Sequence, residues 1–241
     1  MGGGAQRSRW PIVIVGVLTL LLSTGARAQE RPDFRALILE TQKKSDVVGE
    51  LAFVWWLPEQ FWRAAWSSGP NPVAEARMDQ LLAIVRRYTI VGVVNGRMGP
   101  MGGATFMSED EVRSTVTIKD AAGTSYVPLA EASIDPDLKN LLQILKPMFT
   151  NIAGPIGQNI NFLVFPSKSD GGRPVADATS HGALYVLVGE REFKYDLPLV
   201  SLLPPKIDPD TGQKFPGNYR FNPYTGRELG TASPTKPSGS R

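Results

Sequence analysis

The chain predicts an α+β protein: a largely antiparallel sheet, about three helices and a small C-terminal module of β-turns. Three features carry that prediction. Short apolar runs of strand length come in groups, and segments with apolar residues at helical spacing separate the groups. Two groups hold turn sequences at hairpin spacing, Asp120-Ala121-Ala122-Gly123 and Gly189-Glu190. After Leu203 the composition shifts to Pro, Gly, Asn and Thr, which favours turns over long elements.

The elements follow in order. Residues 29–46 are polar and read as a short helix or a loose arm. Residues 47–57 read as a strand running into Trp55-Trp56. Pro58 stands where the first turn of a helix tolerates proline, and Phe61, Trp62, Ala65 and Trp66 follow at helical spacing. Asn71-Pro72 reads as an N-cap with proline at the first helical position, and Ala74, Met78, Leu81, Leu82 and Val85 fall on one face. Residues 89–94 are a buried strand, and the glycines of 96–103 form a hairpin connection. Residues 112–119 and 124–129 read as a hairpin. A helix starts at Asp135-Pro136 with Leu138, Leu141, Leu142, Leu145 and Phe149 on its apolar side. Residues 159–166 are an apolar strand, and 182–188 with 191–197 form a second hairpin.

The two halves echo each other. A Leu-Leu-x-Ile helix precedes an apolar strand and then a hairpin in each, at Leu81–Val85 and Leu141–Leu145. Two similar αβββ units are one reading of this echo; its unequal spacing leaves coincidence of two α+β units as the other.

The N-terminus reads as an export signal. Arg7 and Arg9 precede the nearly all-apolar run 11–22, and Ala26 and Ala28 occupy the −3 and −1 positions of a cut after Ala28. The run is short against the ~20 residues a membrane helix needs, an uncleaved anchor being the alternative. No cysteine follows for lipid attachment, and no Arg-Arg pair precedes the run. The expected domains are therefore signal peptide 1–28, globular α+β domain 29–204, turn module 205–229 and disordered tail 230–241. The mature chain is expected to be secreted or periplasmic, with no membrane span.

Charge depends on that cut. The whole chain is +3, and removing Arg7, Arg9 and Arg27 leaves 23 basic against 23 acidic residues. The basic character belongs to the signal, so nucleic acid is not expected as a partner. There is no cysteine, which excludes a disulfide scaffold and any thiolate metal site.

Asp208-Pro209-Asp210-Thr211-Gly212 is echoed fourteen residues later by Asn222-Pro223-Tyr224-Thr225-Gly226, with Phe215-Pro216-Gly217-Asn218-Tyr219-Arg220-Phe221 between. Segment 206–229 resembles a zinc ribbon whose Cys-Pro-x-Cys-Gly turns have lost all four cysteines. The positions that match the ligands are Asp208, Thr211, Asn222 and Thr225. The resemblance implies two tight turns. One carboxylate, one amide and two hydroxyls do not make a zinc site, so no metal and no cofactor are expected. Two similar β-turns without ribbon ancestry are the plainer reading, and a calcium site on Asp208 and Asp210 lacks ligands.

Catalytic signatures are few. His181 is the single histidine, and no Gly-x-Ser-x-Gly elbow accompanies it. Glu109, Asp110 and Glu111 cluster after Ser108, but Ser108-x-x-Glu111 matches a capping box, so the cluster reads as a helix start or a solvated turn. The mature chain's tryptophans all lie within twelve residues: Trp55, Trp56, Trp62 and Trp66. Aromatics at such spacing form core, or else a platform for a sugar, peptide or protein. Adjacent Trp55 and Trp56 face opposite sides of a strand, so one of them reaches the surface unless both faces are covered.

The functional expectation is a non-catalytic binding or envelope-assembly protein, with Trp55, Trp56, Trp62 and Trp66 as its binding residues. Its partner would be an envelope protein or a glycan. The C-terminal turns are the alternative interaction surface to that aromatic segment. The alternatives are an extracellular enzyme acting on a polymer such as glycan through Glu109, Glu111 or His181, and a carbohydrate-binding protein built on Trp62 and Trp66.

Overall fold

Residues 33–68, 71–153 and 155–231 are described in a computed structural model of the chain. The expected signal peptide lies outside them, as does the tail from residue 232. Asp33 opens the first helix, α1 (Phe34–Thr41), its carboxylate accepting the N–H of Arg35 at 2.9 Å. Two short strands follow, β1 (Gln42–Lys44) and β2 (Phe53–Trp56), then helices α2 (Glu59–Ser68) and α3 (Glu75–Val85). The seven-residue β3 (Tyr88–Val94) leads into the small hairpin β4 (Gly96–Met98) and β5 (Ala104–Phe106). Helix α4 (Glu109–Thr115) begins at the Ser108–Glu111 capping box and passes directly into β6 (Val116–Lys119) and β7 (Ser125–Tyr126). The long α5 (Pro136–Ala153) and one-turn α6 (Pro155–Gln158) precede β8 (Asn161–Pro166). The hairpin β9 (Gly182–Val188) and β10 (Arg191–Leu197) completes the main body.

The fold is α+β with antiparallel pairing throughout. One sheet has the order β1-β2-β3-β8 and a second the order β10-β9-β6-β7. The halves that echo in sequence lie side by side: β3 pairs with β8, β6 with β9, and β7 and β10 flank that second pair. The three expected helices are α2, α3 and α5; α1 takes the helical alternative for residues 29–46, α4 takes the helix-start alternative at Ser108, and α6 is additional.

The two tryptophans of β2 show the layering. Trp55 meets Phe61 of α2 and Phe149 of α5 edge-on at 5.4 and 4.7 Å, and its indole N–H donates to Thr41 of α1 at 3.2 Å. Trp56 turns the other way, onto Tyr195 of β10 at 5.6 Å. The Tyr195 hydroxyl in turn donates to the Val54 carbonyl at 3.3 Å. Because neighbouring residues of a strand point to opposite faces, the first sheet is covered on both sides: helices on one, the second sheet on the other. The main core fills both interfaces.

Four expectations are corrected. The strand expected over 47–57 is only Phe53–Trp56; a tight turn precedes it, with Ser45 and Glu50 hydrogen-bonded at 2.9 Å and Val48 fully exposed. Asn71-Pro72 does not start a helix: the Val73 N–H bonds back to the Trp66 carbonyl, and α3 begins at Glu75. The strand expected from 112 is helical to Thr115, because the Ser108 cap starts a helix that carries Val112 into the core. Residues 230 and 231, assigned to the tail, form a strand of the C-terminal module.

Candidate functional site

The aromatic platform expected at 55–66 is not formed. Trp55, Trp56 and Trp62 are each 1% exposed, and only Trp66 is partly accessible. The Trp62 indole donates to the Leu57 carbonyl at 3.1 Å, and its ring lies 5.6 Å from that of Trp66. The strand and helical spacing that made these residues candidates is the spacing that buries them, because β2 lies inside its sheet and α2 packs on it.

The residues of the enzymatic alternative have different surroundings. Glu111 is occupied by the cap: its carboxylate accepts from the Ser108 N–H and hydroxyl, both at 2.8 Å, which holds its pKa below the ordinary range. Glu109 lines a shallow cavity beside β8. His181 is exposed immediately before β9. Among the described residues, no group of three or more His, Cys, Asp or Glu is placed to hold a metal ion.

The C-terminal segment forms its own three-stranded sheet. Strand β11 (Lys206–Ile207) is central, with β12 (Lys214–Phe215) and β13 (Gly230–Thr231) antiparallel on either side. Phe215 and Leu229 are buried at 7% and 6% exposure, yet neither belongs to the main core. The unit is seated closely on the chain that enters it. A Cβ on Gly217 would lie 2.4 Å from Leu203 Cβ and 2.5 Å from the Pro204 carbonyl, so only glycine fits there.

Its two echoing turns are alike bond for bond. In the first, Asp208 Oδ1 accepts the N–H groups of Asp210 and Thr211, both at 3.0 Å, and Thr211 Oγ1 accepts the Gln213 N–H at 3.2 Å. In the second, Asn222 Oδ1 accepts from Tyr224 at 2.9 Å and Thr225 at 3.4 Å, and Thr225 Oγ1 accepts from Arg227 at 3.3 Å. Each turn closes on a glycine, Gly212 or Gly226, at φ +71°, a conformation glycine adopts at little cost. The Asn222 side-chain amide donates to the free Asp208 oxygen, Oδ2, at 2.6 Å and joins the turns through a buried bond. That bond, with the Thr211 and Asp210 N–H groups, holds the Asp208 carboxyl down at about 2.

Around this clasp the aromatics face outward. Tyr219 and Tyr224 flank the buried Phe215 ring, each with its centroid 6.5 Å away, and are 40% and 83% exposed. Phe221 is 47% exposed with the Arg220 guanidinium 5.1 Å over its ring. Tyr219, Phe221 and Tyr224 are thus the accessible rings that residues 55–66 do not supply. The signal was in the sequence: Phe215, Tyr219, Phe221 and Tyr224 lie within ten residues. The Pro and Gly positions of the two turns are the stronger local pattern there and mask it.

Comparison with protein-family models, with curated proteins and with solved structures returns no match to this chain. Among the described residues, no helix is long and apolar enough to cross a membrane.

Proposed function

We propose that the mature chain, exported after cleavage following Ala28, is a non-catalytic binding protein of the cell envelope whose partner-facing surface is the aromatic face of the C-terminal module. One observation carries this reading: Tyr219, Phe221 and Tyr224 are exposed on a unit fixed by its own hydrogen bonds. Aromatic rings with an apolar body and a polar tip are enriched at interfaces. A braced scaffold lowers the ordering cost of presenting them. The partner class is an envelope protein. The test is crosslinking in intact producing cells, comparing the native chain with a Tyr219→Ala/Phe221→Ala/Tyr224→Ala variant. A stoichiometric partner recovered with the native chain and lost with the variant supports the proposal. Equal recovery, or no partner with either, contradicts it.

The same module is proposed as a ribbon in which hydrogen bonds have replaced a metal. Its support is the pair of matching turns and the Asp208–Asn222 bond that joins them at two of the four ligand-matching positions.

A further inference from the structure

We infer that the outer edge of β8, at Phe162, is a docking site for an extended peptide of a partner protein, which adds to the first sheet as a strand. The site is separate from the C-terminal module and is defined by backbone pairing. The Leu57 N–H donates to the Ile90 carbonyl at 2.9 Å. Hydrogen bonding alternates along an antiparallel strand, so Ile90 and Gly92 turn their backbone groups toward β2. Thr89, Val91 and Val93 turn theirs toward β8, where their partners are Phe165, Leu163 and Asn161. Phe162 and Val164 therefore face outward. The Val164 carbonyl accepts the N–H of Leu129 at 2.8 Å, so the chain already lays a short segment against this edge. Two residues along, the Phe162 N–H and C=O have no hydrogen-bond partner among the described residues.

The other long edge differs. The Gly189 N–H donates to the Thr115 carbonyl, which fixes the alternation in β9 and turns Glu192, Lys194 and Asp196 of β10 outward. Alternating charges of this kind guard an edge against added strands. Beside Phe162 there is instead a cavity of about 230 Å³ with Ile134, Leu142 and Phe162 in its lining. Glu109 and Lys146 also line it, and neither has an ion-pair partner among the described residues. A backbone N–H and C=O without partners among the described residues, a cavity in which Ile134, Leu142, Phe162 and Val164 alternate with polar side chains, and the charges of Glu109 and Lys146 fit one occupant: an extended peptide with apolar residues at alternate positions and a charged residue between them.

The test uses the full mature chain and a phage-displayed random dodecapeptide library. The expected result is enrichment of peptides with alternating apolar positions. A synthetic copy of an enriched peptide should protect the Phe162 amide from hydrogen exchange. N-methylation of its pairing residue should weaken binding at least about tenfold, which is the loss of one good hydrogen bond at roughly 1.4 kcal/mol. Phe162→Pro, which removes an N–H the sheet does not use, should weaken it similarly. Three results overturn the proposal: no enrichment over mock panning, binding unaffected by N-methylation, or protection that falls elsewhere and spares Phe162. The exchange and N-methylation experiments use the native chain, so they decide the matter even if Phe162→Pro fails to fold.

Discussion

Residues 53–66 and residues 215–224 are both dense in aromatics, and the fold treats them oppositely. The first lies on a strand inside its sheet and on the helix packed against it, so both faces of β2 are covered and Trp55, Trp56 and Trp62 are interior. The second lies on turns around two-residue strands, with room beneath for one ring, Phe215, and none for Tyr219, Phe221 or Tyr224. Aromatic density therefore does not mark a binding surface by itself. What decides is whether the backbone that carries the rings has a layer on each side.

Substitution within the tryptophan segment gives the largest contrast. Trp56→Ala empties a site between the two sheets and is expected to cost about 3–5 kcal/mol in denaturant unfolding. Trp66→Ala, at a partly accessible position, is expected to cost under about 2 kcal/mol. Equal costs would break the distinction between interior and rim within that segment.

Next in size is the clasp of the C-terminal module. Asn222→Ala removes the bond to Asp208 and the acceptor for Tyr224 and Thr225, so it should destabilise the module by about 1–3 kcal/mol. Amide exchange should speed up at Tyr224 and Thr225 and stay unchanged in β3 and β9. Uniform acceleration would mean that the module and main body unfold together.

The Asp208 carboxyl adds a pH dependence to the same clasp. Its pKa falls from 3.8 to about 2 in the folded chain. A depressed carboxyl pKa contributes stability that is complete above the unfolded value and is lost as pH falls through the folded one. Module amides should therefore hold their protection above about pH 4 and lose it toward pH 2. In Asp208→Asn that dependence should flatten. An Asp208 resonance that titrates near 4 would contradict the assigned hydrogen bonds.

The smallest stability effect belongs to the exposed ring. Tyr224→Ala should change unfolding stability by under about 0.5 kcal/mol while reducing partner recovery. A large loss of stability would place Tyr224 in a core and undo the contrast.

Local chemistry made part of this legible from sequence. The second hairpin was readable to the residue, since Gly189-Glu190 sits between two alternating runs. The Ser108–Glu111 cap and the Asp135-Pro136 helix start were readable because capping needs only neighbours. The echo of Asp208 and Asn222 predicted two like turns, and two like turns are present. Non-local facts were not legible. Whether Trp56 meets solvent depends on Tyr195, 139 residues further along the chain. That β8 lies at an edge follows from strand order, which no local pattern encodes. Asn71-Pro72 had a helix-start signature, yet the Val73 N–H bonds back to the Trp66 carbonyl and the helix starts only at Glu75.

The most direct test of the contrast is photo-CIDNP NMR of the mature chain with a flavin dye, which polarises only tyrosine, tryptophan and histidine rings that the dye can touch. Strong signals are expected from Tyr224 and Tyr219, a weak one from Trp66, and none from Trp55, Trp56 or Trp62. Polarised indoles from those three tryptophans, or a silent Tyr224, would contradict it.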